Sequence, residues 1–338
     1  MGIKNFFEGK VIFLSGGTGS FGKAFIQHFI DNDIRPKKLI IFSRDELKQH
    51  EMQLHQFSNV EYPFLRYFIG DVRDKERLET ALQGVDMVVH AAALKHVGVA
   101  EYNPTEFIKT NIIGTQNLLD VALKYNIDSF VSLSTDKASS PVNLYGATKL
   151  CADKLVISSN NVKGDSPSKF SVVRYGNVFG SRGSIVPLFS RLIDEGKPLQ
   201  ITNSDMTRFN ISLDEAVRMV VWSLMEAKGG EIIVPEIPSY RVIDMIEAFE
   251  SELPTEEIGT RPGEKIHEEM ISAADSYTTV QFKNYFLILP QGNSVLRELY
   301  LSIGATQFPE GQVYDSGSNN KFLSVSDLKD AIAKQKES

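Results

Sequence analysis

The stretch Val11-Ile12-Phe13-Leu14, followed at once by Ser15-Gly16-Gly17-Thr18-Gly19-Ser20-Phe21-Gly22, constrains this chain more than any other. A short continuous apolar run reads as a buried strand, and residues 23–29 continue with apolar side chains at helical spacing. Strand, glycine turn and helix in that order are the setting in which a glycine pattern binds a dinucleotide. Gly16 permits the tight turn, Gly19 lets the backbone approach a pyrophosphate, and Gly22 lets helix and strand pack closely. A pyrophosphate there would meet free N–H groups and the positive end of the helix dipole. Thr18, Ser20 and Phe21 belong to the same expected contact set.

The alternation of strands and helices continues. Residues 38–42 predict a second strand, ending in Ser43-Arg44-Asp45-Glu46. Ser43 and Arg44 at the strand tip, where an acid would bind a free ribose hydroxyl, favour a 2′-phosphate and hence NADP over NAD. Lys48 adds a second cation, and Asp45, one step further on, keeps NAD open. Residues 65–69 predict a third strand, with Asp71 placed to meet an adenine amino group and Val72 beside it. After a helix over 75–83 and a fourth strand over 85–90, the small side chains of Ala91, Ala92 and Ala93 allow a flat cofactor to pass closely. Lys95 and His96 follow within reach of a substrate, although His96 reads equally well as a packed structural histidine. A helix starts at Thr110-Asn111, a fifth strand spans 129–133, and a sixth over 170–175 closes the sheet. The fold class is α/β: a doubly wound parallel (Rossmann) sheet over residues 1–175, with a smaller substrate lobe over 176–338, parts of which can return to the first unit.

The fifth strand leads into Leu133-Ser134-Thr135-Asp136-Lys137, which presents a hydroxyl, a carboxylate and an amine in succession. After a Pro141-Val142-Asn143 turn, Tyr145 and Lys149 stand one helical turn apart and share a face. A phenol beside a permanent cation is expected to have its pKa pulled down, enough to take a proton from a sugar hydroxyl near neutral pH. Alone, such a pair reads as well as a surface helix. Further on, Gly176-Asn177-Val178, Ser181-Arg182-Gly183, Met206-Thr207-Arg208-Phe209 and Arg261-Pro262-Gly263-Glu264-Lys265 are separate loop-like islands. If they converge, Arg182, Arg208 and Arg261 would suit a diphosphate, because the guanidinium fork matches phosphate oxygens; singly, each reads as a surface ion pair.

Composition narrows the function. A net charge of −7 argues against nonspecific nucleic-acid binding. Cys151 is the only cysteine, so an intrachain disulfide is impossible and a reducing compartment fits. The first ten residues are polar with no signal core, Phe6 stands where a myristoylation signal needs Ser or Thr, and no apolar run approaches the roughly 18 residues that span a bilayer. A cytoplasmic protein without membrane contact is expected, and no metal-ligand pattern is evident.

Taken together, the motifs resemble the extended short-chain dehydrogenase/reductases, whose glycine spacing is this G-x-x-G-x-x-G. Within them they resemble the inverting UDP-N-acetylglucosamine (UDP-GlcNAc) 4,6-dehydratases that begin pseudaminic acid synthesis. The resemblance runs over nearly the whole chain. It is carried by Ser43 to Lys48, Tyr67 to Asp74, Leu133 to Lys137 with Asn143 to Lys149, Arg174 to Val178 and Gly263 to Glu268. Asp136-Lys137 discriminates most, since retaining sugar dehydratases have Asp-Glu there and 4-epimerases lack the acid. Gly98 and Asn210 depart from the pattern, at positions flanking the expected sugar.

The resemblance implies a homo-oligomeric enzyme that recycles tightly bound NADP in each turnover. In it Tyr145, supported by Lys149, removes the C4 hydroxyl proton, and both also contact the cofactor. Lys137, kept partly neutral by burial and by Lys149 nearby, takes the C5 proton. Asp136 protonates the departing C6 hydroxyl, and Thr135 bonds near O4. Lys95, Asn177, Arg182, Arg208, Arg261 and Glu264 would hold the UDP-sugar. The alternatives are a related dehydratase that returns hydride to C4 and releases a 5,6-ene, a 4-epimerase or reductase, and a noncatalytic NADP sensor on the same fold.

Overall fold

The computed structural model describes residues 2–180 and 184–337. Ten strands build the central sheet: β1 Val11–Ser15, β2 Lys38–Ser43, β3 Leu65–Ile69, β4 Met87–His90, β5 Ser129–Thr135, β6 Lys169–Tyr175, β7 Ile232–Pro235, β8 Thr279–Phe282, β9 Tyr285–Ile288 and β10 Thr306–Gln307. Their order is β10-β8-β9-β7-β6-β5-β4-β1-β2-β3. Every pairing from β3 to β7 is parallel, and the three beyond β7 are antiparallel. The α/β class and the mostly parallel sheet agree with the sequence reading. The sixth strand, however, does not close the sheet. Val172 and Val173 of β6 pair with Ile232 and Ile233 of β7, so a strand whose residues 170–175 are all buried is never an edge.

β1, β2, β4 and β7 read as near-continuous apolar runs because helices cover both faces of the sheet. Helix α1, Ser20–Asp31, buries Gly22, Phe25, Ile26 and Phe29 along one stripe, and the Phe25 and Phe29 rings lie 4.7 Å apart. Full burial of one such side chain contributes about 1.5–3 kcal/mol. Helices α2 (Glu46–His55) and α3 (Lys75–Ala81) begin at Asp45 and Asp74, whose carboxylates accept from the Lys48 and Arg77 backbone N–H groups. Thr110-Asn111 does not begin a helix. The run from Pro104 passes through a wide π turn at Ile108–Ile113 before α4, Gly114–Lys124. That turn aims Asn111 inward, where it bonds the Leu94 backbone twice, at 2.8 and 2.9 Å, and the Thr148 hydroxyl at 3.0 Å.

Helix α5, Leu144–Val162, packs on β5 and β6, and α6, Leu213–Glu226, packs on α1. A separate three-stranded sheet of Asn177–Val178, Thr207–Ile211 and Ser239–Arg241 follows the end of β6. A second core, including Val186, Phe189, Met206, Tyr240 and Met245, supports this part. Among the described residues, no helix is long and apolar enough to cross a membrane.

One buried residue gives the fold a specific pH response. His90 ends β4, 1% exposed, with its ring nitrogens 2.8 Å from Ser15 Oγ and 2.9 Å from Thr115 Oγ1. Thr115 donates its hydroxyl proton to Asn111 O and Ser15 Oγ accepts from the Ala91 and Ala92 N–H groups, so the neutral ring donates from Nε2 and accepts at Nδ1. Burial, and secondarily the Lys149 charge, push the His90 pKa down to about 3 from 6.5. The folded state therefore binds fewer protons than the unfolded chain between these values, and His90 costs stability as pH falls through that window. The expected slope is about 1.4 kcal/mol per pH unit, recoverable as the difference between urea melts of the wild type and His90→Gln from pH 6.5 to 4.5.

Candidate active site

A cavity of about 1130 Å³ opens along the C-terminal ends of β1 to β6 and continues into the second half of the chain. At one end lies the glycine turn. Gly16 has φ of +68°, and a Cβ there would fall 2.8 Å from the Ala92 backbone nitrogen. Gly19 caps α1 without any side-chain bond, leaving the first N–H groups of a twelve-residue helix to serve a ligand. Gly16, Thr18, Gly19, Ser20 and Phe21 line the cavity, whereas Gly22 sits behind it.

The β2 tip supplies Ser43, Arg44 and Lys48 to the wall, and the β3 tip supplies Asp71 and Val72. The Ser43 hydroxyl is held by Gln49 Nε2 at 2.9 Å. Asp45 serves as the cap of α2 and pairs with Lys48 at 2.7 Å. Burial alone would raise the Asp71 pKa, but bonds from Arg73 at 2.7 and 2.9 Å bring it below the ordinary value. Ala91, Ala92 and Ala93 pass along the floor, with Lys95 and the exposed His96 beyond them. His96 is not a packed structural histidine.

At the centre, β5 delivers Thr135, and a single 3-10 turn carries Asp136 and Lys137. Asp136 is fully buried. Its Oδ1 accepts from Thr135 Oγ1 at 2.9 Å and from Lys137 Nζ at 3.0 Å, while Oδ2 has no partner. The same ammonium reaches Glu268 Oε1 at 3.1 Å. Helix α5 approaches this turn so closely that a Cβ on Gly146 would meet Lys137 O at 2.1 Å, so only glycine fits between Tyr145 and Lys149 at that point. Asn143 fixes the helix start: its side chain accepts from Gly146 N–H at 2.8 Å and donates to Gly263 O at 2.7 Å. The Arg261–Lys265 loop is thereby tied to the helix carrying Tyr145.

Two charge expectations are corrected. Lys149 Nζ donates to Leu133 O at 2.7 Å, is 4% exposed, and has a pKa lowered by burial against the pull of Asp153. The cation acting on the phenol is Lys137 instead. Even so, burial pushes the Tyr145 pKa up to about 12, opposed by Lys137 and by the Thr135 hydrogen bond. Lys137 is not partly neutral. Burial would lower its pKa, but the Asp136 and Glu268 carboxylates more than reverse that and hold it charged.

The predicted substrate set divides. Lys95, Asn177, Arg208 and Glu264 line the cavity. Arg208 is fixed by bonds to Thr207 O at 2.7 Å and Ile266 O at 3.0 Å, and Asn177 Oδ1 lies 3.5 Å from Lys137 Nζ. Arg261 is 64% exposed, pairs with Glu264 at 4.0 Å and does not line the cavity; Arg182 lies outside the described residues. Of the two described arginines in this set, Arg208 lines the cavity and Arg261 does not. Sequence reasoning gave no role to Glu268 or Tyr240. Tyr240 is 3% exposed and hydrogen-bonds Asn177. Nothing in local spacing brings either to Lys137; both arrive through the fold. Among the described residues, no group of three or more His, Cys, Asp or Glu side chains is placed to hold a metal ion.

Comparison with known proteins matches this geometry to a family. Residues 12–290 fit the model described as polysaccharide biosynthesis protein. An inverting UDP-N-acetylglucosamine 4,6-dehydratase of Campylobacter jejuni is 49% identical over 332 residues, covering 96% of this chain and 98% of the relative. A UDP-glucose 4-epimerase of Rickettsia canadensis is 38% identical over 96% of both chains. The structure of Pen from Bacillus thuringiensis superposes with a TM-score of 0.87 at 34% identity, over 97% of this chain and 99% of that one. The dTDP-glucose 4,6-dehydratase DesIV of Streptomyces venezuelae, solved with NAD and TYD bound, shares the fold at a TM-score of 0.67 and 22% identity, over 75% of this chain and 86% of that one. The chain belongs to the polysaccharide biosynthesis protein family.

Proposed function

We propose that this protein is an NADP-dependent dehydratase that converts UDP-GlcNAc to a 4-keto-6-deoxy UDP-sugar with inversion at C5. The observation that carries the reading is the hydrogen-bonded Thr135, Asp136 and Lys137 set: Thr135 and Lys137 line the same cavity as Tyr145 and Lys149, and Asp136 is buried behind them. The relatives named as inverting dehydratases support the substrate and the outcome.

The glycine turn, Arg44, Lys48, Asp71, Val72 and Ala91–Ala93 would hold the dinucleotide. NADP, when bound, would supply the hydride acceptor and donor for the change at C4 and C6. The chain's own residues move the protons. Tyr145 takes the C4 hydroxyl proton, and Thr135 bonds beside O4. Lys137, an ammonium at rest, passes a proton along its 3.0 Å bond to Asp136. A bound sugar excludes water, and a neutral amine beside a neutral acid then costs less than separated charges. The amine takes the C5 proton, made acidic by the C4 ketone, and the Asp136 acid gives its proton to the C6 hydroxyl, which leaves as water. C5 is then reprotonated on its opposite face, and the proton that Tyr145 took from the C4 hydroxyl balances the one delivered there. Arg208, Lys95 and Asn177 would bind the diphosphate and sugar. Mass spectrometry of the product tests the reading: the UDP-sugar loses one water with no reductant added.

The 4-epimerase reading has the Rickettsia relative in its favour. Inversion at C4 needs no proton transfer at C5 or C6, however, so it leaves Asp136 and Lys137 without a task. A product of unchanged mass would favour it.

Arg44 and Lys48 beside the β2 tip, with Asp45 engaged as a helix cap, support the reading of NADP over NAD. Arg44→Ala should weaken NADP binding by about tenfold or more while NAD binding changes little, as the loss of one charge-assisted phosphate bond requires. Isothermal titration with both dinucleotides reads the difference.

A further inference from the structure

Glu268 comes from a segment 131 residues beyond Lys137 in the chain, yet it lines the same cavity. It is 2% exposed, and its backbone is clamped by Ser316, whose N–H donates to Glu268 O at 2.8 Å and whose Oγ accepts from Glu268 N–H at 2.9 Å. Its Oε1 lies 3.1 Å from Lys137 Nζ and 3.9 Å from Arg208 Nε, and its buried Oε2 has no hydrogen-bond partner. A carboxylate this desolvated is costly unless the cation beside it stays charged.

We propose that Glu268 is the positioning residue of the C5 chemistry: it holds Lys137 as an ammonium between turnovers and stabilises the ammonium formed when Lys137 takes the C5 proton. Asp136 cannot do this alone, because in the dehydratase reading, on which this role rests, it holds the proton destined for the C6 hydroxyl and is neutral when Lys137 takes the C5 proton. Glu268 takes no part in that proton transfer and makes the neutral amine a stronger base. The groups that face Lys137 are Asp136, Glu268, Arg208, Lys95, Tyr145 and Tyr240. Removing the Glu268 charge leaves Asp136 as the one carboxylate among them, opposed by Arg208 and Lys95.

The test is an NMR titration of the full-length protein labelled with ¹³C at the lysine ε carbons, the Lys137 signal being assigned by its loss in Lys137→Met. In the wild type, Lys137 should remain an ammonium to the highest pH at which the protein stays folded. In Glu268→Gln its titration should fall by about one to three pH units, as expected for loss of an opposite charge within hydrogen-bond range. In Glu268→Asp, whose carboxylate is withdrawn by one methylene, the fall should be smaller. C5 deuterium exchange into UDP-GlcNAc should slow by about ten- to a hundredfold in Glu268→Gln. If Glu268→Gln does not fold, any downward shift in Glu268→Asp carries the proposal. A Lys137 titration unmoved in every folded variant overturns it, and a lowered melting temperature with no such shift assigns Glu268 to structure alone. The lysine titration needs no substrate, so it judges this role even if UDP-GlcNAc proves not to be turned over.

Discussion

Tyr145→Phe should lower kcat for UDP-GlcNAc by about a thousandfold, within the range general acid–base groups contribute, while substrate affinity stays within a few-fold. The phenol is 9% exposed and hydrogen-bonded to Thr135, so phenylalanine fills the same space and removes only the oxygen. The melting temperature should therefore barely move. Burial pushes the phenol up to about 12, which makes it a strong base once ionised and a rarely ionised one at neutral pH. Wild-type kcat should accordingly rise with pH on the alkaline side, and Tyr145→Phe should flatten that limb. Steady-state kinetics over pH, with substrate affinity from calorimetry, check both. Retention of more than about a tenth of the activity would remove Tyr145 from the reaction.

Asp136→Asn separates the two halves of the chemistry. The amide can still accept from Thr135 and Lys137, but it cannot carry the proton for the departing C6 hydroxyl. Lys137 also loses one of the two carboxylates that hold it charged, so its amine form becomes more accessible. Formation of the 6-deoxy product should fall by about 10²–10⁴, whereas deuterium from D₂O should still enter C5 of recovered substrate. This pattern distinguishes loss of the acid from loss of the fold, which would stop both. Product formation within about fivefold of the wild type would contradict the acid role.

What could be read in advance follows from the physics of each element. β1, β2 and β4 are near-continuous apolar runs because both sheet faces are covered, and such runs are legible without a structure. The antiparallel strands β8 to β10 were not: β8 and β9 form a hairpin across Lys283-Asn284, but it joins the sheet through the pairing of β9 with the distant β7, which no local pattern encodes. The placing of Thr135, Lys137, Tyr145 and Lys149 along one cavity, with Asp136 buried behind Lys137, depends on short-range geometry: a strand end, one turn and the first turn of α5. Their charge states depend on burial and on Glu268, a partner from the far half of the chain, and this is why Lys137 and Tyr145 depart from the sequence-based expectation. Asp45 shows the same limit. Its position beside Arg44 invites a ribose contact, but the start of α2 engages its carboxylate.

Proton NMR of UDP-GlcNAc incubated with the purified protein in D₂O, without added reductant, tests the central claim most directly. The account predicts a 4-keto-6-deoxy UDP-sugar carrying deuterium at C5 in the L-arabino configuration. A vinylic 5,6-ene that keeps its hydrogen at C4, or a sugar that does not change at all, would contradict it.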